Sequence, residues 1–275
     1  MSKPITVAGD DAVRANLTAW DEVAPIHAHH NQADLLKAFA QPGFSVLEDD
    51  TKAVFAELGV AGKSVAQLCC NNGRELISVK ALGAGRCVGF DGAPAFVQQA
   101  RELNEAAGQD CEFVAGDIHA VPAAYDGAFD ILYVTIGVLS WMPNLRAFFD
   151  VAARLAKPGG HFLIEEQHPI MNMVEPGGPD APVEWRYSYF QDHPFAEEGL
   201  DYYGETEYEA ATHFSYQHTM GDIINASIAA GFEVLRFDER PQHISNTWYN
   251  VEKQGPPMPM SFDLLLRKRP GACGA

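Results

Sequence analysis

The stretch KSVAQLCCNNGRELISVKALGAGRCVGFDG, residues 63–92, decides the fold. Lys63 to Cys69, KSVAQLC, is a short β-rich run and reads as a strand. Arg74 to Leu82 carries Leu76, Ile77, Val79 and Leu82 at helical spacing, and Gly83 is a natural stop. Arg86 to Phe90 is a second β-rich run, so strand, helix and strand follow within 30 residues.

Outward from there the alternation continues. Asp91-Gly-Ala-Pro94 opens a helix running to about Ala107, with Pro94 in its first turn. Cys111 to Ala115 and Phe129 to Val134 read as the third and fourth strands. Leu145 to Ala156 is helical, with Leu145, Phe148, Phe149, Ala152 and Leu155 on one stripe. Lys157-Pro-Gly-Gly160 turns it into a fifth strand, HFLIEEQ. Thr219 to Ala230 then reads as a helix, and Phe232 to Phe237 and Ser261 to Arg267 as late strands. The expectation is a doubly wound, Rossmann-like α/β sheet of seven strands, the last antiparallel. Residues 1–60 read as two or three helices, a helical lid, with Val13, Leu17 and Trp20 on one face and Val54, Phe55 and Leu58 on another. Residues 61–275 form the main domain, interrupted after the fifth strand by an insertion at 172–212. Ten acids, one Arg and eight Phe, Trp or Tyr fall in its 41 positions, so this segment concentrates charge and aromatics together.

Composition narrows the partners. The 275 residues carry 37 acids against 19 Lys and Arg, a net charge of −18, which argues against a general nucleic-acid binder. The longest apolar stretch, Ile131 to Leu139, is nine residues and too short to span a bilayer. Met1 to Asp10 has no basic flank followed by an apolar block, so it does not read as a secretory signal. Cys69, Cys70, Cys87, Cys111 and Cys273 form no spaced framework, which points to the reducing cytoplasm. His27, His29 and His30 lack a carboxylate or cysteine partner in the sequence and are not read as a metal site.

In open α/β sheets, ligands sit beyond the carboxyl ends of the strands, where the strand order reverses. Cys69-Cys-Asn-Asn-Gly73 follows the first strand, Asp91 the second, and Gly116-Asp117-Ile118 the third. A carboxylate at Asp91 suits a vicinal ribose diol. Asp117, with the amide of Ile118, suits the edge of an adenine. Either acid alone equally well caps a turn. A dinucleotide-binding oxidoreductase would use the same Asp91, but the G-x-G-x-x-G fingerprint is absent and Gly73 is the loop's only glycine.

In VAQLCCNNGRE, VGFDGAPAFVQQAR, EFVAGDIHAVP, FDILYVTIGVLSWMPN and LAKPGGHFLIEEQHP, the chain resembles the class I S-adenosylmethionine-dependent methyltransferases, most closely their small-molecule branch. The resemblance covers residues 63–169, with a weaker echo at 219–267. Where the family carries an acid and three alternate glycines, this chain has Gln67, Cys69, Asn71 and Gly73; Asn tolerates a left-handed backbone better than most residues. The resemblance implies that Asp91, with Gly92 beside it, holds the ribose hydroxyls of S-adenosylmethionine, and Asp117 and Ile118 the adenine. Gln67, Cys69, Asn71, Gly73 and Thr135 would surround the methionine part. Trp20 to His27 resembles a lid helix closing over the donor, which adds Trp20 and His27 to the set.

Methyl transfer from a sulfonium needs alignment of the reactants and exclusion of water, and a base only where the acceptor must lose a proton. His168, directly after the fifth strand, is the expected base, with His213 and His218 as weaker alternatives. Trp141, Trp185, Tyr187, Tyr189, Tyr202 and Tyr203 would enclose a small organic acceptor, and the insertion's acids favour one bearing an amine. The alternatives are a catalytically silent S-adenosylmethionine-binding relative and a nucleotide-dependent oxidoreductase.

Overall fold

The computed structural model describes residues 7–203, 206, 208–243, 245, 247–255 and 257–271. The first six residues of the signal reading and Cys273 lie outside the described residues. The sheet takes β1 (Val65–Leu68), β2 (Cys87–Asp91), β3 (Glu112–Ala115), β4 (Phe129–Val134) and β5 (Ala156–Gln167) from the first part of the chain. The helices between them are α3 (Arg74–Ala81), α4 (Pro94–Ala106) and α5 (Leu145–Leu155). Ahead of them run α1 (Gly9–Phe39) and α2 (Asp49–Glu57). After them come a hairpin of β6 (Phe195–Glu198) and β7 (Thr212–Ser215), then α6 (Met220–Ala229), β8 (Phe232–Arg240), α7 (Tyr249–Gln254) and β9 (Ser261–Lys268).

The strand order is β3-β2-β1-β4-β5-β9-β8. β1 to β5 pair in parallel, and β9 runs antiparallel to both β5 and β8. This is the expected seven-stranded Rossmann-like sheet with its last strand reversed. The chain builds outward from β1 to β3, then returns to place β4 on the other side of β1. The carboxyl ends of β1 and β4 therefore diverge into loops on opposite sides of a switch point, which opens a crevice there.

Strand alternation sorts the core onto the two faces. Ala66, Leu68, Leu132, Val134, Phe162 and Ile164 pack against Phe148, Phe149 and Ala152 of α5 and Ile223 of α6. Val65, Ile131, Tyr133 and Leu163 pack against Leu76 and Val79 of α3, Val97 and Ala100 of α4, and Val54 and Phe55 of α2. Helix starts are chemically marked. Asn144 accepts from the Ala147 amide ahead of α5, and Thr219 and Asp222 form a reciprocal capping box on α6.

The N-terminal helical segment resolves into two helices, of which α1 runs unbroken for 31 residues through Pro25. The β6–β7 hairpin and α7 were not anticipated. FAEE and THFS lack a sustained two-residue apolar alternation, and only their pairing identifies them as strands. Among the described residues, no helix is long and apolar enough to cross a membrane.

Candidate active site

The strand ends open into a cleft of about 1150 Å³. Its floor begins with the loop after β1, where Cys69, Asn71 and Gly73 all adopt left-handed backbone, with φ of 56°, 49° and 70°. Asn71 stabilises its own turn, since its Oδ1 accepts from the Asn72 amide at 2.8 Å. Gly73 is obligatory here. A Cβ on it would lie 2.4 Å from Cε1 of Phe113, inside van der Waals contact. Cys69 and Asn71 thus adopt left-handed backbone although neither is glycine.

Asp91 ends β2 and lines the cleft. Its Oδ2 accepts from the Asn71 amide at 2.7 Å and its Oδ1 from the Ala93 amide at 2.9 Å. Burial outweighs these bonds and raises the carboxyl to about 6. Asp117 and Ile118 also line the cleft; Asp117 Oδ1 accepts from the His119 amide and lies 2.9 Å from its ring Nδ1. Gly92 brings backbone against α1, since a Cβ there would meet Leu17.

The loop after β4 supplies Thr135, Ile136, Gly137, Ser140 and Trp141 to the wall. Glu166, buried on β5, fixes that loop by accepting from the amides of Gly137 (2.6 Å) and Leu139 (3.0 Å). Burial raises its carboxyl to about 7 despite those bonds. Gln67 is buried outside the cleft wall; its Nε2 donates to Thr135 Oγ1 at 3.2 Å, and its Oε1 has no hydrogen-bond partner.

α1 closes the roof with Val13, Leu17 and Trp20, the indole meeting Trp141 edge-on at 5.3 Å. The helix is stitched down. Asp21 accepts from the Ala95 amide at the start of α4, and Gln99 donates to the Ala24 carbonyl. Asn16 exchanges two hydrogen bonds, at 2.8 and 2.7 Å, with the backbone of Phe214 on β7. His27 does not line the cleft. It is buried behind Trp20, its Nε2 lies 2.9 Å from the Leu200 carbonyl, and its ring packs on Phe96, Tyr202 and Tyr203.

The far half of the cleft belongs to the insertion and its neighbours. Tyr187, Trp141, Glu175, Glu197, Glu198, His213 and Trp248 line it; Tyr202, Tyr203 and Asp201 also line the cleft, at the α1 end beside His27 and His30. Trp185 and Tyr189 do not. Trp185 is half exposed and bridges to Val174, while Tyr189 accepts from the Met220 amide at the start of α6. Sequence reasoning missed Arg74, Glu75, Glu197 and Trp248. Arg74 donates to Glu75 at 2.7 Å and both face the cleft; two charges directly behind the loop glycine were the available signal.

His168 requires a correction. The strand ends at Gln167, which lines the cleft, and the chain turns at Pro169, carrying His168 to the other side. Its Nδ1 accepts from the Ile170 amide at 3.2 Å, and its Nε2 lies 3.1 Å from Glu239 on β8. Both ring nitrogens are occupied away from the cleft, so it is not placed to act as base. His218 is likewise tied, 2.8 Å from the Met142 carbonyl. His213 is different: it lines the cleft, is 3% exposed, and its Nδ1 has no hydrogen-bond partner.

The family model of the methyltransferase domain matches residues 65–160, the span from β1 into β5. Among solved structures, an S-adenosylmethionine-dependent methyltransferase from Mesorhizobium loti aligns at 22% identity, over 80% of this chain and 97% of that one, with a TM-score of 0.57. One from Clostridium acetobutylicum aligns at 13% identity over 91% and 99%, with a TM-score of 0.58. A protein from Galdieria sulphuraria provisionally assigned as a sarcosine dimethylglycine methyltransferase aligns at 14% over 79% and 82%, with a TM-score of 0.54. At these identities the solved structures speak for the fold. Residues 65–160 of this chain therefore match a methyltransferase domain, set in a fold shared with those structures.

Proposed function

We propose that the protein is an S-adenosylmethionine-dependent methyltransferase and that it methylates a small organic acceptor bearing an amine, held where the insertion walls the cleft. One observation carries this reading. The wall combines the carboxylates of Glu197 and Glu198 with the rings of Trp141, Tyr187 and Trp248, while Glu175 is paired with Arg186 and Asp201 is held by backbone amides beside His30. Among the described lining residues the only Lys or Arg is Arg74, which is paired with Glu75. Such a surface attracts a cation and offers it aromatic faces, and it repels phosphate or nucleic acid.

The near half suits the donor. The left-handed turns at Cys69, Asn71 and Gly73 present backbone rather than side chains, and a Cβ at Gly73 would collide with Phe113. Asp91 has two oxygens already oriented by backbone amides, and its remaining lone pairs suit a ribose diol. Asp117 and Ile118 take the adenine edge in this reading, and Thr135 and the 69–73 backbone the methionine part. Gln67 acts at one remove, by orienting Thr135. The cofactor supplies a methyl group on a positively charged sulfur, which leaves as a neutral thioether. The protein's part is to align the acceptor and keep water out. Trp20 and Leu17 of α1 cover the cleft, so of the N-terminal segment α1 acts as the roof while α2 packs on the sheet, and the described residues of the 172–212 insertion act as the acceptor wall. The free thiols of Cys69, Cys70, Cys87 and Cys111 accord with a cytoplasmic location.

A titration with S-adenosylhomocysteine, NAD and NADP tests the donor half, and turnover on paired amines and isosteric alcohols tests the acceptor half. Binding of the first ligand alone, with methylation of amines but not alcohols, is expected. Methylation confined to the alcohols would overturn the acceptor assignment.

A further inference from the structure

Resting on that reading of the acceptor half, we infer that His213 and Glu197 form a proton path from the acceptor nitrogen to solvent. The two residues are directly opposed across the β6–β7 hairpin, and both line the cleft. His213 is buried with its ring 5.5 Å from that of Trp141, whereas 65% of the Glu197 side chain is exposed. His213 Nε2 lies 3.8 Å from Glu197 Oε2. One end of the pair is thus inside the cleft and the other is in water.

The free nitrogen is the second observation. His27 and His218 each bond a backbone carbonyl, His119 pairs with Asp117, and His168 is held at both nitrogens. His213 Nδ1 is buried with no partner, a state that is costly unless a ligand satisfies it. Burial holds the imidazole down to about 4, so it is neutral at physiological pH. With the Nε2 proton turned toward the Glu197 carboxylate, the lone pair is left on Nδ1 for a donor in the cleft. Partial desolvation at the cleft edge and the negative charge of Glu175 raise Glu197, which favours its taking a proton.

The balance is simple. An ammonium acceptor gives one N–H proton to Nδ1, and its nitrogen recovers the lone pair needed for attack. Nε2 passes its own proton to Glu197 Oε2, 3.8 Å away, through one bridging water or a rotation of the exposed Glu197 side chain, and the carboxyl releases it to bulk water. His213 is then the neutral Nδ1–H tautomer, and a ring flip, or loss of the Nδ1 proton to water with reprotonation of Nε2, restores the Nε2–H form, so the pair is unchanged after each cycle.

Imidazole-¹⁵N spectra of the protein saturated with S-adenosylhomocysteine test this without the true acceptor. Dimethylammonium, which has N–H donors, and tetramethylammonium, which has none, serve as probes. His213 is expected as the neutral Nε2–H tautomer from about pH 6 to 9. Dimethylammonium should shift its Nδ1 resonance saturably while tetramethylammonium leaves it nearly unmoved. Glu197→Gln should alter the tautomer balance, with S-adenosylhomocysteine affinity held within about twofold. In turnover on an accepted amine, His213→Asn should lower kcat by about 10²–10⁴. An Nδ1–H tautomer, an imidazolium at pH 7, or equal responses to both cations would overturn the inference. If His213→Asn does not fold, contacts between the His213 and Trp141 rings assign the resonance in wild type. Failure of S-adenosylhomocysteine to bind would instead sink the donor assignment, and the tautomer would still be read in the free protein.

Discussion

Affinity for S-adenosylhomocysteine should fall as pH drops through about 6, because Asp91 is raised to that value by burial in the free protein. The sign follows from competition. Ribose hydroxyls donate to the carboxylate, so a proton on Asp91 must leave before they bind, and protons win increasingly as pH falls. At pH 8 the group is almost wholly ionised, whereas at pH 5 only about one molecule in eleven is, given a pKa near 6. If only the carboxylate form binds, Kd rises about tenfold over that interval, or about 1.4 kcal/mol. Calorimetric titrations from pH 8 to 5 at constant ionic strength read this directly. Adenosine in parallel supplies the diol and the base without a group that titrates in this range. Asp91→Asn should weaken binding at pH 8 by roughly 10²-fold, as expected for losing charged hydrogen-bond acceptors, and should flatten the profile. The variant also separates Asp91 from His119, which shares the wall. A wild-type Kd that stays constant across the range, or an equal slope in Asp91→Asn, would refute the reasoning.

Gly73→Ala combines a left-handed φ with a Cβ driven onto Phe113 and Ala100; a loss of about 2–5 kcal/mol and a fall in Tm of roughly 5–15 °C should appear by scanning calorimetry. Asn16→Ala strands the amide and carbonyl of Phe214 and costs about 2–3 kcal/mol locally. Amide exchange in β6 and β7 should accelerate about 10²-fold, while β1 and β4 keep their protection. His168→Ala removes the acceptor for the Ile170 amide, about 1 kcal/mol of stability, and leaves S-adenosylhomocysteine affinity unchanged. A tenfold weaker titration would return His168 to the cleft.

The sheet and its strand-end residues were legible because they follow local rules. Buried parallel strands show as continuous apolar runs, and the residue after each run falls at the sheet edge where ligands bind. Asn71 was expected to stand in for glycine, and its φ of 49° agrees, although Cys69 adopts the same region without that intrinsic tolerance. The acceptor half was less legible because it is made by pairings that cross irregular chain. His213 faces Glu197 only through the register of a hairpin whose strands have no clear period. His168 was misplaced for the opposite reason. A strand rule was extended one residue past Gln167, where Pro169 turns the chain and the alternation ends.

The stitching of α1 also bears on how the molecule folds. The helix is among the first segments in the chain, yet its anchors come much later. Asp21 meets Ala95 across 74 residues, Glu22 meets Ala211 across 189, and Asn16 meets Phe214 across 198. Closing such long loops is slow, and a contact cannot reward the chain before its partner exists. During synthesis, α1 must wait, with Trp20 uncovered, until α4 and then the hairpin have been made. The roof is therefore expected to be the last part of the cleft to consolidate, and the first to come loose when the hairpin is disturbed.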